Sequence, residues 1–181
     1  QRLVNNASLV TAYPFTFVCR IRPRQISSNL VAWSITDTAV SNHYWRLLQS
    51  TSTAWSFQAI AGGTSANAVA TITVTSGLWY YILCRAISAT NRWIAVLGPT
   101  GATVHTQNVT SRTPAGIDTI ALGCSELSTP ADFYTGEIAE LFYTLTDIQA
   151  DGAQLQDWML RQLAYGGPFS VPHIAKNIVE Y

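Results

Sequence analysis

Two glutamates sit three residues apart in the most strongly patterned part of the chain, Glu137 and Glu140 in GEIAELFYTL. Cleaving a glycosidic bond takes a pair of carboxylates flanking it, about 5 Å apart when one of them acts as the nucleophile. Successive side chains of an extended strand point to opposite faces, so an odd separation sends Glu137 and Glu140 to opposite sides. They are therefore expected not to converge on one sugar. Glu140 reads as a structural acceptor and Glu137 as a surface charge, and the chain as no enzyme. Other catalytic patterns are missing: there is no Gly-x-Ser-x-Gly elbow, no phosphate-cradling glycine loop and no His-Glu-x-x-His. The three histidines, His43, His105 and His173, are far apart in sequence.

Calcium needs several converging oxygens, usually with more than one carboxylate. Asp118, Glu126 and Asp132 are the nearest approach to such a set, and they read as a solvated polar loop and not as a calcium site. No metal and no cofactor are expected. A glycan would be held by aromatic platforms with polar neighbours, for which Tyr44, Trp45 and Trp55 are the candidates. Aromatic rings in strands also carry large apolar areas, which favours packing them in the core.

These groups need a frame, and composition describes it. The chain has 181 residues, enough for one domain with a sizeable core. Its charged fraction is 11% and its formal net charge +0, against a usual charged share of roughly 25%. So few cations give no electrostatic case for nucleic acid or an anionic membrane. A near-neutral surface also tends to associate, which points to other subunits of an oligomeric assembly as partners. No apolar run reaches the roughly 20 residues of a membrane helix, and no charged-then-apolar leader opens the chain. Cys19, Cys84 and Cys124 lie in or just after apolar strand-like runs, where they read as buried free thiols folded in a reducing compartment.

Alternation and turn signals give the strands: Phe15 to Pro23, Leu30 to Ile35, His43 to Gln49, Trp55 to Ile60, Thr71 to Thr75, Leu78 to Ile87, Asn91 to Leu97, Ala102 to Gln107 and Thr119 to Gly123. Gly98-Pro99-Thr100-Gly101 reads as a hairpin turn. The stretch Glu137 to Leu145 has large side chains on both sides, as a central strand covered on both faces would. Ile138, Glu140, Phe142 and Thr144 fall on one side of it, and Glu137, Ala139, Leu141, Tyr143 and Leu145 on the other. Leu78 to Ile87 is the second candidate for a central position. After Thr146 the period changes: Leu155, Trp158, Met159 and Leu163 line one face of a helix over Asp147 to Ala164, stopped by Gly166-Gly167-Pro168. Domain limits follow, a sandwich with its helix over 1–165 and an extended apolar tail over 166–181.

Four segments, in order, resemble the laminin-G-like or concanavalin A-like jelly-roll family: FTFVCRIRP from Phe15, SGLWYY from Ser76, the hairpin from Trp93 to Gly101, and GEIAELFY from Gly136. The resemblance covers most of residues 3 to 163. It implies an all-β fold of two antiparallel sheets, a jelly-roll sandwich with one concave face and a short C-terminal helix. It does not fix function, since the family spans glycan lectins, adhesion modules, glycanases and structural phage or cell-surface modules. Ala139 stands where the family has an acid, so any role of that acid is lost here.

The sequence thus predicts a non-catalytic structural or attachment module of a larger assembly, such as a phage head-decoration or fibre protein. The localisation is then the virion, or otherwise a cell surface or extracellular. The tail residues Phe169, Val171, Ile174, Ile178 and Tyr181 would provide the contact to a partner. The alternative is a carbohydrate-binding, lectin-like module. An exposed concave sheet with solvent-facing aromatics would favour the second reading.

Overall fold

The computed structural model describes residues 3–5, 13–40, 42–125 and 131–147. These form eleven strands: β1 (Leu3–Asn5), β2 (Phe15–Pro23), β3 (Leu30–Thr36), β4 (Tyr44–Thr51), β5 (Ala54–Ala61), β6 (Thr64–Thr71), β7 (Tyr80–Ser88), β8 (Asn91–Leu97), β9 (Thr103–Asn108), β10 (Thr119–Leu122) and β11 (Gly136–Thr144). Sheet A runs β1-β10-β3-β4-β5-β6 and sheet B runs β11-β2-β7-β8-β9, with every named pair antiparallel. The result is the two-sheet sandwich expected. The helix and tail, with Phe169, Val171, Ile174, Ile178 and Tyr181, lie outside the described residues beyond Asp147.

Aromatic and β-branched residues at alternate positions turn inward from both sheets and fill the space between them. Phe17 stacks on Trp33 with ring centroids 4.3 Å apart, Trp45 stacks on Phe57 at 5.3 Å, and Phe15 meets Trp45 edge-on at 5.2 Å. Offset and edge-to-face arrangements suit the ring quadrupole and add to the area buried. On β6 the inward positions are Ala66, Ala68 and Ala70, small side chains opposite the large rings of β5. Strand β7 is the middle strand of sheet B and is buried on both faces along most of its length, as its unbroken apolar run predicts.

Strand β11 departs from expectation. Among the described residues it ends the sheet order and pairs with β2 alone. Its register shifts between Ala139 and Leu141, where Glu140 takes a left-handed backbone with φ of 58°. The extra residue of this bulge resets the alternation. Ile138, Leu141 and Tyr143 pack against the core, while Glu137 and Ala139 before the bulge, and Phe142 and Thr144 after it, share the other face. A bulge cannot be read from period-two patterning, because hydrophobic residues remain on both sides of it.

At the other end of the sequence, the reading of Thr71 to Thr75 as a strand is displaced by β6. Thr64–Thr71 carries the pairing with β5, and its small residues give little hydrophobic signal. The Gly98 to Gly101 turn forms as read, with Gly98 N–H donating to the Ala102 carbonyl at 2.9 Å. Gly101 adopts φ of 80° there, a conformation open to glycine at little cost.

Candidate functional site

The face of sheet A turned away from the core carries a line of polar side chains. Register places Ser34 beside Arg46, Arg46 beside Gln58, and Gln58 beside Asn67, one residue from each of four neighbouring strands. With about 4.8 Å between strands, the row is roughly 14 Å long. A second row, Thr36, Tyr44, Ile60 and Ser65, flanks it on one side, and a third, Val31, Leu48, Ser56 and Val69, on the other. The face opens from β3 towards β6. Ser34 is fully buried and donates to the Cys124 carbonyl at 2.9 Å, whereas Ser65 and Val69 reach solvent.

Arg46 is the centre of the row. Its Nε donates to Gln58 Oε1 at 2.6 Å, and its Nη1 donates to Ser125 Oγ at 3.1 Å and to Asp132 Oδ2 at 2.6 Å. The guanidinium also lies over the Tyr44 ring, 5.0 Å from its centroid, a cation–π contact. Ser125 and Asp132 come from the connection between β10 and β11. Asp132 holds φ of 55°, a left-handed conformation to which short polar side chains are best suited, and its carbonyl accepts from Val31 N–H at 2.9 Å. Burial pushes the Tyr44 phenol above its ordinary value; Arg46 pulls it down and Asp132 pushes it up.

Hydrogen-bonding capacity is left over. Among the described residues, Arg46 Nη2, Gln58 Nε2 and Asp132 Oδ1 make no further hydrogen bond. Asn67 Oδ1 and Ser56 Oγ are buried without a partner. A row of spare donors and acceptors on one sheet face can meet another polar molecule laid against it. Beside it Phe133, bridged to Val31, is 53% exposed.

The residues expected to bind a ligand divide here. Tyr44 lies on this face. Trp45 and Trp55 turn the other way into the core, at 3% and 0% exposure, because they alternate with Tyr44, Arg46 and Ser56 along β4 and β5. Packed rings with no free face cannot stack on a sugar, so the expected role is corrected for both. Arg46, Gln58 and Asn67 went unmarked in sequence, although the alternation that puts Tyr44 outward puts Arg46 outward with it.

Glu137 and Glu140 are held by arginines. Glu137 pairs with Arg22 and, at 2.5 Å, with Arg24, and Glu140 lies 3.5 Å from Arg20. The bulge corrects the expectation that they face opposite ways, since Arg20 and Arg22 alternate onto one face of β2. Hydrogen bonds from Arg24 and Arg22 hold the Glu137 carboxyl below its ordinary value. The Trp79 ring lies beneath two of these cations, with Arg20 at 4.2 Å and Arg22 at 4.8 Å from its centroid.

The two described loop carboxylates, Asp118 and Asp132, have different partners. Asp118 accepts from the Thr38 hydroxyl at 2.8 Å, Asp132 binds Arg46, and Glu126 is outside the described residues. Among the described residues no group of three potential metal ligands occurs. His43 Nδ1 accepts from Ala115 N–H at 3.0 Å, His105 stands on β9, and His173 is outside the described residues. Cys19, Cys84 and Cys124 are buried thiols that form no disulfide.

Two antiparallel sheets packed face to face define a β-sandwich, and one outer face carries the polar, partly satisfied row. Among solved structures the chain is similar to the CBM40 of the Ruminococcus gnavus IT-sialidase bound to α2,3-sialyllactose, with a TM-score of 0.63, 12% identity, and 76% of this chain and 79% of that one covered. It is similar also to the NanB sialidase from Streptococcus pneumoniae, at a TM-score of 0.68 and 14% identity, covering 82% of this chain but only 24% of that one. A third is domain 4 of AbnA, a GH43 extracellular arabinanase from Geobacillus stearothermophilus in complex with arabinotriose, at a TM-score of 0.59 and 14% identity, covering 75% and 62% respectively. No family model matches the chain, that of laminin-G included, and no curated protein does.

Proposed function

We propose that this chain is a non-catalytic carbohydrate-binding module that takes its glycan on the outer face of sheet A, along Arg46, Gln58 and Asn67. The observation that carries the reading is that row: cross-strand neighbours in register, with spare donors and acceptors, next to an exposed aromatic ring. Sugars present hydroxyls that donate and accept at once, and a surface offering both is the chemical match. Strand spacing matches too, since a row of roughly 14 Å has room for more than one sugar ring. Solved neighbours of the same fold carry sialyllactose and arabinotriose, which supports a sugar as the ligand class. A surface or extracellular setting accords with this reading.

A role in attachment is compatible with it, as the holding of a larger protein against a glycan. The virion role expected from charge and tail draws no support from these neighbours. Absence of catalysis is part of the proposal: the two glutamates that a glycanase would need are spent on arginines.

The test is direct binding to a glycan array, followed by calorimetry on whichever glycan is retained. Gln58→Ala and Asn67→Ala should each weaken binding at least tenfold while leaving the unfolding temperature within a few degrees. Gln107→Ala, on sheet B, should change nothing. Retention of full affinity by both sheet A variants would sink the assignment of this face.

A further inference from the structure

We propose that the glycan bound on this face is uncharged, held through adjacent hydroxyls and not through a sugar carboxylate; the inference rests on the glycan-binding reading above. It comes from how Arg46, the one cation of the face among the described residues, is used. A guanidinium grips a carboxylate through two parallel N–H groups on one edge, either Nε with Nη2 or Nη1 with Nη2. In Arg46 the first edge is blocked at Nε by Gln58, and the second at Nη1 by Asp132 and Ser125. Nη2 alone keeps both its N–H groups, one along each edge, so neither edge offers the parallel pair a carboxylate needs, while single N–H groups suit hydroxyls.

Charge points the same way. On the outward positions of β3, β4, β5, β6 and β10, with Ser125 and Asp132 from the covering loop, the charged groups among the described residues are Arg46 and Asp132, which cancel. Their exposures differ: the Arg46 side chain is 10% exposed and that of Asp132 34%. An approaching ligand therefore meets the carboxylate before the cation. Beyond β3 the next charges are again carboxylates, Asp37 and Asp118. A sugar acid would meet repulsion at Asp132 without a free guanidinium edge to offset its desolvation. A neutral sugar can donate one hydroxyl to Asp132 Oδ1 and accept on its neighbour from Arg46 Nη2 or Gln58 Nε2.

The experiment uses the unmodified chain against two sets of probes, neutral arabino-, xylo-, cello- and malto-oligosaccharides on one side, and sialyllactose and oligogalacturonate on the other. At least one neutral probe should bind tenfold or more tighter than either acidic probe. Its affinity should also change less than twofold between low and high salt, since no net ionic contact is screened. An acidic probe that binds as tightly as the best neutral one overturns the uncharged assignment and leaves the module reading standing. Silence across both sets overturns the module reading, and this inference with it. As a second arm, Asp132→Asn should lower the neutral-over-acidic preference, and a preference unchanged in that variant would count against the assignment.

Discussion

Arg85, on the outer face of sheet B and 1% exposed, donates from Nε to Asp147 Oδ1 at 2.8 Å. Alongside, the Thr16 hydroxyl donates to the Thr146 carbonyl at 3.0 Å. Both contacts bring the chain leaving β11 onto that face, where Val18 and Leu83 are also buried. Burial lowers the Arg85 pKa, and the hydrogen bond and charge of Asp147 oppose the shift.

Removing Asp147 takes a carboxylate away from a guanidinium held out of water. Asp147→Ala should cost roughly 2–4 kcal/mol of stability by urea unfolding. The double change Arg85→Met with Asp147→Ala should cost less than the single one, because the desolvated cation is removed together with its carboxylate. Losses that simply add, with Arg85→Met measured alone as well, would show that the pair does not act as a unit.

Gly136 opens β11 where it meets β2. A Cβ at this position would collide with the Arg22 carbonyl and the Tyr134 ring. The carbonyl belongs to the neighbouring strand and cannot rotate aside, so the end of β11 must lift away from β2. Gly136→Ala should destabilise by about 1–3 kcal/mol, as other overpacking changes do. Gly98→Ala meets mainly the end of the Ile72 side chain, which can move, and should cost clearly less. A reversed order in thermal unfolding would refute the steric account.

Strands with strong alternation were legible. Phe15–Pro23 and Asn91–Leu97 have the limits read from sequence, and β7 holds the middle of its sheet. Three things were hidden, each for a physical reason. The bulge at Glu140 leaves apolar residues on both sides, so a uniform phase and a central place were read into an edge strand. The inward alanines of β6 bury too little area to stand out. The site itself was missed because aromatic rings drew attention to Trp45 and Trp55, while the row of Arg46, Gln58 and Asn67 exists only once three strands are in register.

Glycoside hydrolysis should be absent. Glu137 is bound by Arg22 and Arg24, and its lowered pKa keeps it ionised. A general acid must carry a proton near the working pH, which this group does not. Prolonged incubation with sialyllactose and arabinan, followed by assays for free sialic acid and reducing ends, should read as blank. Turnover that disappears in Glu137→Gln would reverse the conclusion.

The final prediction concerns alkali. Cys19 and Cys84 are fully buried, and burial pushes the Cys19 thiol from 9.0 to about 12 and raises Cys84 as well. A folded-state value above the unfolded one means that the unfolded chain loses its protons first. Stability from keeping these thiols neutral is therefore whole below pH 9, and falls as pH rises from about 9 towards 12. Burial raises Tyr13, Tyr44 and Tyr134 too, which extends the loss in the same direction. The unfolding temperature should hold steady from pH 7 to 8.5 and drop steeply above 9.5. Native protein at pH 8 should resist alkylation at Cys19, Cys84 and Cys124, and label at all three once unfolded, because attack requires an exposed thiolate. Cys19→Ala leaves a small cavity and so lowers the starting temperature, yet its alkaline decline should be shallower. A decline as steep as that of the parent chain would mean that the thiols are not its source.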